Sequence, residues 1–361
     1  MSDYHISQIF FDNKREMKQL DALLEKEGIE RDKNLDYTIG LYDEDYTLAA
    51  TGSCFGNTLR CMAVDSHYQG EGLLNQVVSH LIDYEYSRSM IDLFLYTKCD
   101  KAFFFKDLGF YEIARVDGKV VFMENRKQGF SGYLENLRKE TELQVMNRKM
   151  ILTPDTLTGA VIMNANPFTL GHLYLLEQAS AACGLLHVFV VSEDRSAVPF
   201  EVRFNLVKKG SAHLKNLVFH QTGNYMISNA TFPSYFLKDV DTIIRSHAGL
   251  DITIFTQIAK SLGIAARFVG EEPLSQVTAI YNQVMTAELK HAGIDCIVIP
   301  RKTNTNNTDV ISASAVRSLI HQGAIGSIKE LVPESTYEYF TSPESQPVIQ
   351  AIQAEADVIH H

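Results

Sequence analysis

The stretch A-V-I-M-N-A-N-P-F-T-L-G-H, residues 160–172, decides the fold of the second half of this chain. Its apolar beginning predicts a buried strand, and the polar and turn-forming residues that follow predict a sharp turn. A segment with helical character begins at Leu173, so the turn leads into the N-terminus of a helix. Thr169 and His172 lie three residues apart and share a face of the first helical turn. A hydroxyl and an imidazole beside free backbone N–H groups predict a phosphate site.

Strand and helix patterns alternate after this stretch. The predicted strands cover residues 159–163, 185–191, 217–220, 266–269 and 295–300. The predicted helices between and after them cover residues 170–182, 200–213, parts of 231–262, and 274–291. This alternation predicts an α/β domain with a Rossmann-like parallel sheet and helices on both faces. Ligands of such sheets bind outside the carboxyl ends of the strands, which is where residues 164–172 fall.

A second motif, Ile311-Ser-Ala-Ser-Ala-Val-Arg317, follows the last predicted strand and opens another helix. Serines commonly cap helices, so this motif by itself indicates little. Together with Thr169-Leu-Gly-His172, in this order on a parallel α/β domain, it resembles the nucleotidyltransferase superfamily. The resemblance implies that the domain binds ATP. It also implies that the phosphates of ATP contact five motif residues, namely His172, Thr169, Ser312, Ser314 and Arg317.

Charge explains why such residues are needed. ATP carries roughly four negative charges, whereas a helix N-terminus supplies only about half a positive charge. Attack by an anion at the α-phosphate therefore requires additional cations or donors, and we expect Arg317, a protonated or hydrogen-bond-donating His172 and a phosphate-bound Mg²⁺ to supply them. No side chain has to act as a base if the attacking group is already an anion. We therefore expect His172, Thr169 and Arg317 to act by positioning and charge stabilisation.

The first 125 residues have a different pattern. A helix, three strands, the turn His67-Tyr-Gln-Gly-Glu-Gly72, a further helix and a strand resemble a GNAT-type acetyltransferase, an α+β fold. The resemblance implies that Gln69, Gly70 and Gly72 belong to a turn whose backbone amides hold the pyrophosphate of acetyl-CoA. Leu74, however, stands where the family has a small residue. The domain is therefore either an acetyltransferase or a related module retained for docking or packing.

Length and composition bound the remaining possibilities. For 361 residues two domains are expected, and we place a GNAT-like domain at 1–125, a helical connector at 126–157, the nucleotidyltransferase-like ATP-binding domain at 158–345 and a tail at 346–361. The net charge of −11 argues against a nucleic-acid partner, and no apolar run is long enough to span a membrane. The N-terminus lacks a signal-peptide pattern, and five scattered cysteines indicate reduced thiols without a metal site. A cytoplasmic protein is expected.

Three segments give a narrower resemblance. Residues 164–172 (N-A-N-P-F-T-L-G-H), 227–238 (I-S-N-A-T-F-P-S-Y-F-L-K) and 267–273 (R-F-V-G-E-E-P) are similar to the citrate lyase ligase family. That family also joins a GNAT-like domain to a nucleotidyltransferase domain, so the resemblance covers nearly the whole chain. We expect further contacts to the nucleotide from residues of these segments and from one arginine of the next helix, namely Asn164, Asn166, Phe168, Gly171, Gly270, Glu271, Lys238 and Arg203.

The resemblance implies an ATP-dependent ligase that activates acetate as acetyl-AMP. The acetyl group would then pass to the thiol of the CoA-like prosthetic group on the acyl-carrier (gamma) subunit of citrate lyase, which activates the lyase. Two other functions fit the motifs. One is an adenylyltransferase of the phosphopantetheine or nicotinamide-mononucleotide type, in which AMP stays on the product. The other is a nucleotide-binding regulator with a vestigial acetyltransferase domain.

Overall fold

The structure is a computed structural model that describes residues 4–192, 196–226, 232–237, 239–271, 276–300 and 311–354, with only the backbone of 276–279. The chain forms two compact units. The first contains residues 1–132 and 231–253, and the second contains residues 133–230 and 254–361.

The first unit differs from the contiguous domain expected from the sequence, because it recruits residues 231–253. The backbone N–H of Glu30 donates to the carbonyl of Tyr235 at 2.6 Å. The ring of Phe232 meets the ring of Tyr96 edge-on, with centroids 5.9 Å apart. These contacts join positions some 140 to 200 residues apart in sequence, and local sequence patterns carry no signal for them.

The first unit is built on seven strands: β1 (His5–Gln8), β2 (Tyr37–Tyr42), β3 (Leu48–Phe55), β4 (Thr58–Val64), β5 (Phe94–Thr97), β6 (Tyr111–Val116) and β7 (Val120–Glu124). Its helices are α1 (Lys14–Lys26), α2 (Leu73–Ser87) and α3 (Ala102–Asp107). The sheet order is β1-β2-β3-β4-β5-β7-β6, which is the predicted α+β arrangement. The sequence patterns do not predict the edge strands β1 and β6, because exposure there weakens the apolar alternation.

A bulge in β4 shapes the middle of this sheet. Thr51 pairs with Ala63 and Ser53 pairs with Arg60, so two residues of β4 oppose Gly52 of β3. Such a bulge bends the strand that carries it. Beyond its first two residues β4 has no pairing with β5, although β5 continues to pair with β7 as far as Thr97. The central strands β4 and β5 therefore diverge beyond residues 59 and 95, which leaves a gap between them.

The second unit is built on five strands: β8 (Thr158–Met163), β9 (Leu185–Val190), β10 (Leu217–Gln221), β11 (Ala266–Gly270) and β12 (Asp295–Ile299). The further helices of the chain are α4 (Gly129–Asn147), α5 (Leu170–Ala182), α6 (Phe200–Gly210), α7 (Val240–Leu262), α8 (Gln276–His291), α9 (Ala313–His321), α10 (Glu334–Thr341) and α11 (Gln346–Ala354). The sheet order is β10-β9-β8-β11-β12 and every pairing is parallel. The predicted Rossmann-like sheet is confirmed.

The order of the strands locates the crevice of the second unit. From β8 the chain first builds β9 and β10 on one side, and later β11 and β12 on the other. Between β8 and β11 only two residue pairs are in register, near the amino ends, whereas β8 pairs with β9 along six residues. The sheet therefore opens at the carboxyl ends of β8 and β11, which is the topological switch point where open α/β sheets bind ligands.

The C-terminal residues form part of the core. Val348, Ile349 and Ile352 of α11 are buried in a cluster that also contains Val316 and Ile320 of α9. The tail expected at 346–361 is therefore a packed helix as far as Ala354, the last described residue. None of the helices in the described ranges combines the length and apolar character required to cross a membrane.

Candidate functional site

The N-terminus of α5 holds His172 in one orientation. Thr169 is the N-cap residue, and its hydroxyl accepts a hydrogen bond from the backbone N–H of His172 at 3.3 Å. The Nδ1 atom of His172 accepts in return from the backbone N–H of Thr169 at 3.1 Å, and lies 2.9 Å from the Thr169 hydroxyl. Because Nδ1 is an acceptor, the neutral imidazole carries its proton on Nε2. The ring thus presents an N–H donor, which suits a phosphate oxygen.

The ring of Phe168 lies nearly parallel to the ring of His172, at 14° with centroids 6.0 Å apart. Phe168 is fully buried. Its place is therefore behind the imidazole, and in this structure it offers no exposed surface to a nucleotide base. Its expected contact to a nucleotide stays a prediction.

Fewer helix N–H groups are available than the sequence suggests. The N–H of Leu170 donates to the carbonyl of Leu331 at 2.9 Å, and the N–H groups of His172 and Leu173 both donate to Thr169. Free N–H groups at the start of α5 were part of the predicted phosphate site. Since these three groups already have protein partners, an anion here would depend mainly on side-chain donors.

The turn between β8 and α5 is held by Arg203 of α6. The Nη1 atom of Arg203 donates to the carbonyl of Asn164 at 2.7 Å, to Asn164 Oδ1 at 2.9 Å and to the carbonyl of Val191 at 2.8 Å. Its Nε donates to the carbonyl of Val198 at 2.9 Å, and the residue is fully buried. The expected contact of Arg203 to a phosphate stays a prediction. In this structure the guanidinium joins two loops at the carboxyl edge of the sheet.

Asn166 has a buried donor with no protein partner. Its Oδ1 accepts from the N–H of Val198 at 3.0 Å, whereas no described residue accepts from its Nδ2. An unsatisfied buried amide donor is costly, and such groups in native structures call for an explanation. A ligand oxygen at the end of β8 would satisfy it.

The second motif meets the first at this point. Ser312 is the N-cap of α9, and its hydroxyl accepts from the N–H of Ala315 at 3.1 Å. A Cβ atom added to Gly171 would lie 2.8 Å from the carbonyl oxygen of Ile311, the residue before that cap. Glycine is therefore needed at 171 for close approach of the two segments. The N-termini of α5 and α9 converge, and both contribute positive potential.

Arg317 links the two motifs from within. Its Nη1 donates to the carbonyl of Asn166 at 2.7 Å, and its Nη2 donates to the hydroxyl of Ser314 at 3.3 Å. The side chain is almost completely buried. Its charge nevertheless acts at short range on anything bound between the motifs, because a buried charge is poorly screened. No cluster of three or more metal-ligating side chains exists within the described ranges.

Three further residues were expected to contact the nucleotide, namely Gly270, Glu271 and Lys238. Gly270 is the last residue of β11, at the opening of the sheet, and Glu271 follows it with an exposed side chain. The N–H of Glu271 donates to the carbonyl of Ile299 at 2.9 Å, which keeps β11 and β12 together there. Both lie at the predicted edge, and their contacts to a nucleotide stay predictions. Lys238 falls outside the described residues.

The comparisons with known proteins agree with this architecture. Residues 158–340 match the citrate lyase ligase C-terminal domain. A [citrate [pro-3S]-lyase] ligase from Haemophilus influenzae is 36% identical over 331 residues, covering 90% of this chain and 95% of the relative. Another of that name, from Escherichia coli, is 38% identical over 319 residues, covering 86% of this chain and 87% of the relative.

The chain belongs to the citrate lyase ligase family. Among solved structures, a putative nicotinate-nucleotide adenylyltransferase from Vibrio parahaemolyticus is similar at 13% identity, with a TM-score of 0.35, over 54% of this chain and 96% of that one. The parallel strand order β10-β9-β8-β11-β12 establishes the fold of the second unit without that similarity.

The first unit of this citrate lyase ligase family member places its glycine turn beside a cavity. Gln69, Gly70 and Gly72 line a cavity of about 540 Å³, together with Leu74. Gly70 and Gly72 adopt positive φ angles of 91° and 76°, which strain any other residue. The predicted turn is present, and Leu74 lies at its wall.

Two features of this structure were not predicted from the sequence. Tyr235 and Phe236, from the segment that marks the family, line the cavity of the first unit. The sequence signal that could have indicated their burial is the pair of adjacent aromatic residues after Phe232-Pro233. The second feature is the close contact between Gly171 and Ile311, which lie 140 positions apart in sequence. The sequence predicted only a contact between Gly171 and the nucleotide.

Proposed function

We propose that this protein is an ATP-dependent ligase that activates acetate and acetylates the thiol of the prosthetic group on the acyl-carrier subunit of citrate lyase. The observation that carries the proposal is similarity to named citrate lyase ligases over nearly the whole chain. The geometry at the carboxyl ends of β8 and β11 supports it, since the donors gathered there suit an anionic ligand.

In the first step, an acetate oxygen bonds to the α-phosphorus of ATP, and the bond from that phosphorus to the bridging oxygen breaks. Acetyl-AMP forms and pyrophosphate leaves. Acetate is already an anion, so no proton has to be removed by the protein. Nε2–H of His172 and Nδ2 of Asn166 donate to oxygens whose negative charge grows in the transition state, which lowers the barrier.

The second motif holds the leaving group in this proposal. Ser312 and Ser314 supply hydroxyl donors at the start of α9, and Arg317 supplies a fixed positive charge. The hydrogen bond between Arg317 and the carbonyl of Asn166 ties the two halves of the site together. Mg²⁺ would supply additional positive charge on the phosphates of ATP, which would themselves hold it, because the protein groups of this site are hydroxyl, amide, imidazole and guanidinium groups.

In the second step, the thiol sulfur of the carrier's prosthetic group bonds to the acetyl carbon of acetyl-AMP. The carbon–oxygen bond to the phosphate breaks, AMP leaves, and the thiol proton passes to solvent. The nucleophile belongs to the carrier, so no cysteine of this chain is required. Burial raises the pKa of the Cys183 thiol to about 11, which disfavours a reactive thiolate at that position.

The exchange of labelled pyrophosphate into ATP tests the proposal. Exchange that requires acetate supports the ligase. Exchange that requires pantetheine phosphate or nicotinamide mononucleotide would instead identify an adenylyltransferase, and ATP binding without exchange would identify a nucleotide-binding regulator. The family membership favours the first outcome over both others.

A further inference from the structure

The hydrogen bonds from Thr169 hold the imidazole of His172 through one of its atoms. The backbone N–H of Thr169 donates to Nδ1 at 3.1 Å, and the Thr169 hydroxyl lies 2.9 Å from the same atom. Contacts that end on one ring atom fix that atom and leave the tilt of the ring to its other neighbours. In the proposed reaction the donor is Nε2–H, across the ring. A tilt that displaced this donor by about 1 Å could cost roughly 100-fold in rate.

The ring of Phe168 is suited to supply the second restraint. It lies at 14° to the imidazole plane with the centroids 6.0 Å apart, a separation within the range of stacked aromatic rings. Phe168 is fully buried and belongs to the core cluster of the second unit. Close-packed surroundings keep such a side chain in one rotamer. The imidazole therefore lies beside a flat surface that is itself fixed.

Gly210 makes room for the Phe168 ring. It is the last residue of α6, and a Cβ atom added there would lie 2.7 Å from Cε1 and 3.1 Å from Cδ1 of Phe168. Gly210 is not among the glycines with a positive φ. Space beside Phe168, and not backbone conformation, therefore accounts for glycine at this position.

Helix α10 adds a third boundary near the same ring. The hydroxyl oxygen of Ser335 would lie 3.0 Å from the Cβ atom added to Gly210, so α10 meets α6 there. The carbonyl of Leu331, shortly before α10, accepts from the N–H of Leu170 at 2.9 Å. Segments from three distant parts of the chain thus meet around Phe168, and its position does not depend on the turn after β8 alone.

We propose that Phe168, packed against Gly210, is a positioning residue that fixes the plane of the His172 imidazole and so aims Nε2–H at the phosphate oxygens of ATP. The inference rests on the proposed function, which assigns to His172 a hydrogen bond to these oxygens. In this role Phe168 does not have to touch the ligand, because its effect passes through His172.

Gly210→Ala tests the inference from the side of α6. The added methyl group would lie 2.7 Å from Cε1 of Phe168, which is 0.7 Å less than the 3.4 Å at which ordinary contacts begin, so the ring has to move. We expect the maximal rate of acetate-dependent pyrophosphate exchange to fall by about tenfold or more, with the KM for ATP changed by less than about twofold. This pattern is the one produced by loss of an interaction made only in the transition state.

Gly249→Ala is the matched control. Gly249 lies within α7, and an added Cβ atom would also meet an apolar side chain at 2.7 Å, in this case Cγ2 of Val116 in the first unit. The variant should lose comparable stability in urea denaturation and keep the unmodified maximal rate of exchange. An equal fall in rate for Gly249→Ala and Gly210→Ala would trace the effect to general destabilisation and overturn the inference.

The decisive measurement repeats the substitution in a chain that lacks the imidazole. If Phe168 acts through His172, Gly210→Ala slows exchange when His172 is present and has no further effect in the His172→Ala chain. The same result is expected for Phe168→Leu, which removes the ring without overpacking and keeps the test available if Gly210→Ala folds poorly. Effects that multiply in these double variants would mean that Phe168 acts independently of His172, and the inference would be wrong.

Nitrogen-15 NMR of the imidazole separates this inference from the proposed function. The ring signals of His172, assigned by their loss in His172→Ala, should shift in Gly210→Ala and stay in place in Gly249→Ala. Acetate-dependent exchange by the unmodified protein, with ring signals and exchange rate unchanged by Gly210→Ala, would overturn the inference and leave the ligase intact. The expected shifts in a protein that shows no acetate-dependent exchange would support the positioning of His172 and contradict the proposed ligase.

Discussion

Gly171→Ala tests whether the two motifs must touch. The added Cβ would lie 2.8 Å from the carbonyl oxygen of Ile311, whereas ordinary contacts begin at 3.4 Å. The backbone before Ser312 must therefore withdraw by about 0.6 Å, the difference between these distances. The obstacle is backbone and not the end of a flexible side chain, so the strain cannot be relieved by a rotamer change.

The effect on stability should be small. Alanine in place of glycine favours a helix by roughly 0.5–1 kcal/mol, which offsets part of an overpacking cost of about 1–3 kcal/mol. Catalysis should suffer more, because a misplacement of about 1 Å in a catalytic site can cost roughly 100-fold in rate. We expect acetate-dependent pyrophosphate exchange by Gly171→Ala to fall by about tenfold to 100-fold.

The control is Gly132→Ala in α4, where an added Cβ meets no atom within 4 Å. It should raise the free energy of unfolding by roughly 0.5–1 kcal/mol and leave exchange unchanged. Both variants are compared by urea denaturation and by the exchange assay. If Gly171→Ala exchanges pyrophosphate at the unmodified rate while remaining folded, contact between the motifs is not required and the site geometry argued above is wrong.

Other predictions follow from the same site and its surroundings. His172→Ala should slow exchange by roughly 100-fold or more, as loss of a transition-state donor does, and an unimpaired variant would remove His172 from the mechanism. Thr169→Val should lower the unfolding free energy by about 1 kcal/mol and slow exchange, whereas Thr169→Ser keeps the cap and should restore both. Arg203→Met should lower the unfolding free energy by about 3 kcal/mol or more in urea titrations, because several buried carbonyls lose a charged donor; a raised KM for ATP with unchanged stability would instead assign it to phosphate. Burial lowers the pKa of His187 to about 3 and also lowers that of His220. The unfolded chain therefore binds protons that the folded chain excludes, and stability should fall as pH drops from 6.5 towards 3 by up to about 1.4 kcal/mol per pH unit for His187. His220 should add a loss in the same direction. His187→Leu should make that slope shallower in urea titrations between pH 7 and 5, and an unchanged slope would contradict the buried neutral assignment.

Several elements could be predicted because their cause is local. The helix from Leu170 to Ala182 begins at a Thr cap, and β9 is buried throughout and apolar except for His187, as expected for a strand covered on both faces. The order of such elements is enough to predict a parallel sheet and the edge at which it binds ligands. The edge strand β6 was not predicted, since half of its residues are exposed and its pattern is weak.

The motif residues were assigned to phosphate contact by residue type, by spacing and above all by resemblance to a family, and none of these tells how the residues pair with each other. Arg203 fits a phosphate contact in sequence, yet its guanidinium is fully buried against loop carbonyls. Arg317 donates to the carbonyl of Asn166, 151 residues away. Both arrangements depend on which loops meet at the edge of the sheet, and no local pattern specifies that.

The sequence by itself therefore determined the kinds of element, the parallel sheet, the two motifs and, through resemblance, the family. Spacing carries these features because a helix and a strand each impose a fixed repeat on neighbouring residues. Only the tertiary structure decided that Gly171 lies against Ile311, that Tyr235 lines a cavity in the first unit, and that residues 231–253 belong to that unit. These features arise from packing between distant segments, whose free energy depends on complementary surfaces and leaves no periodic signal along the chain.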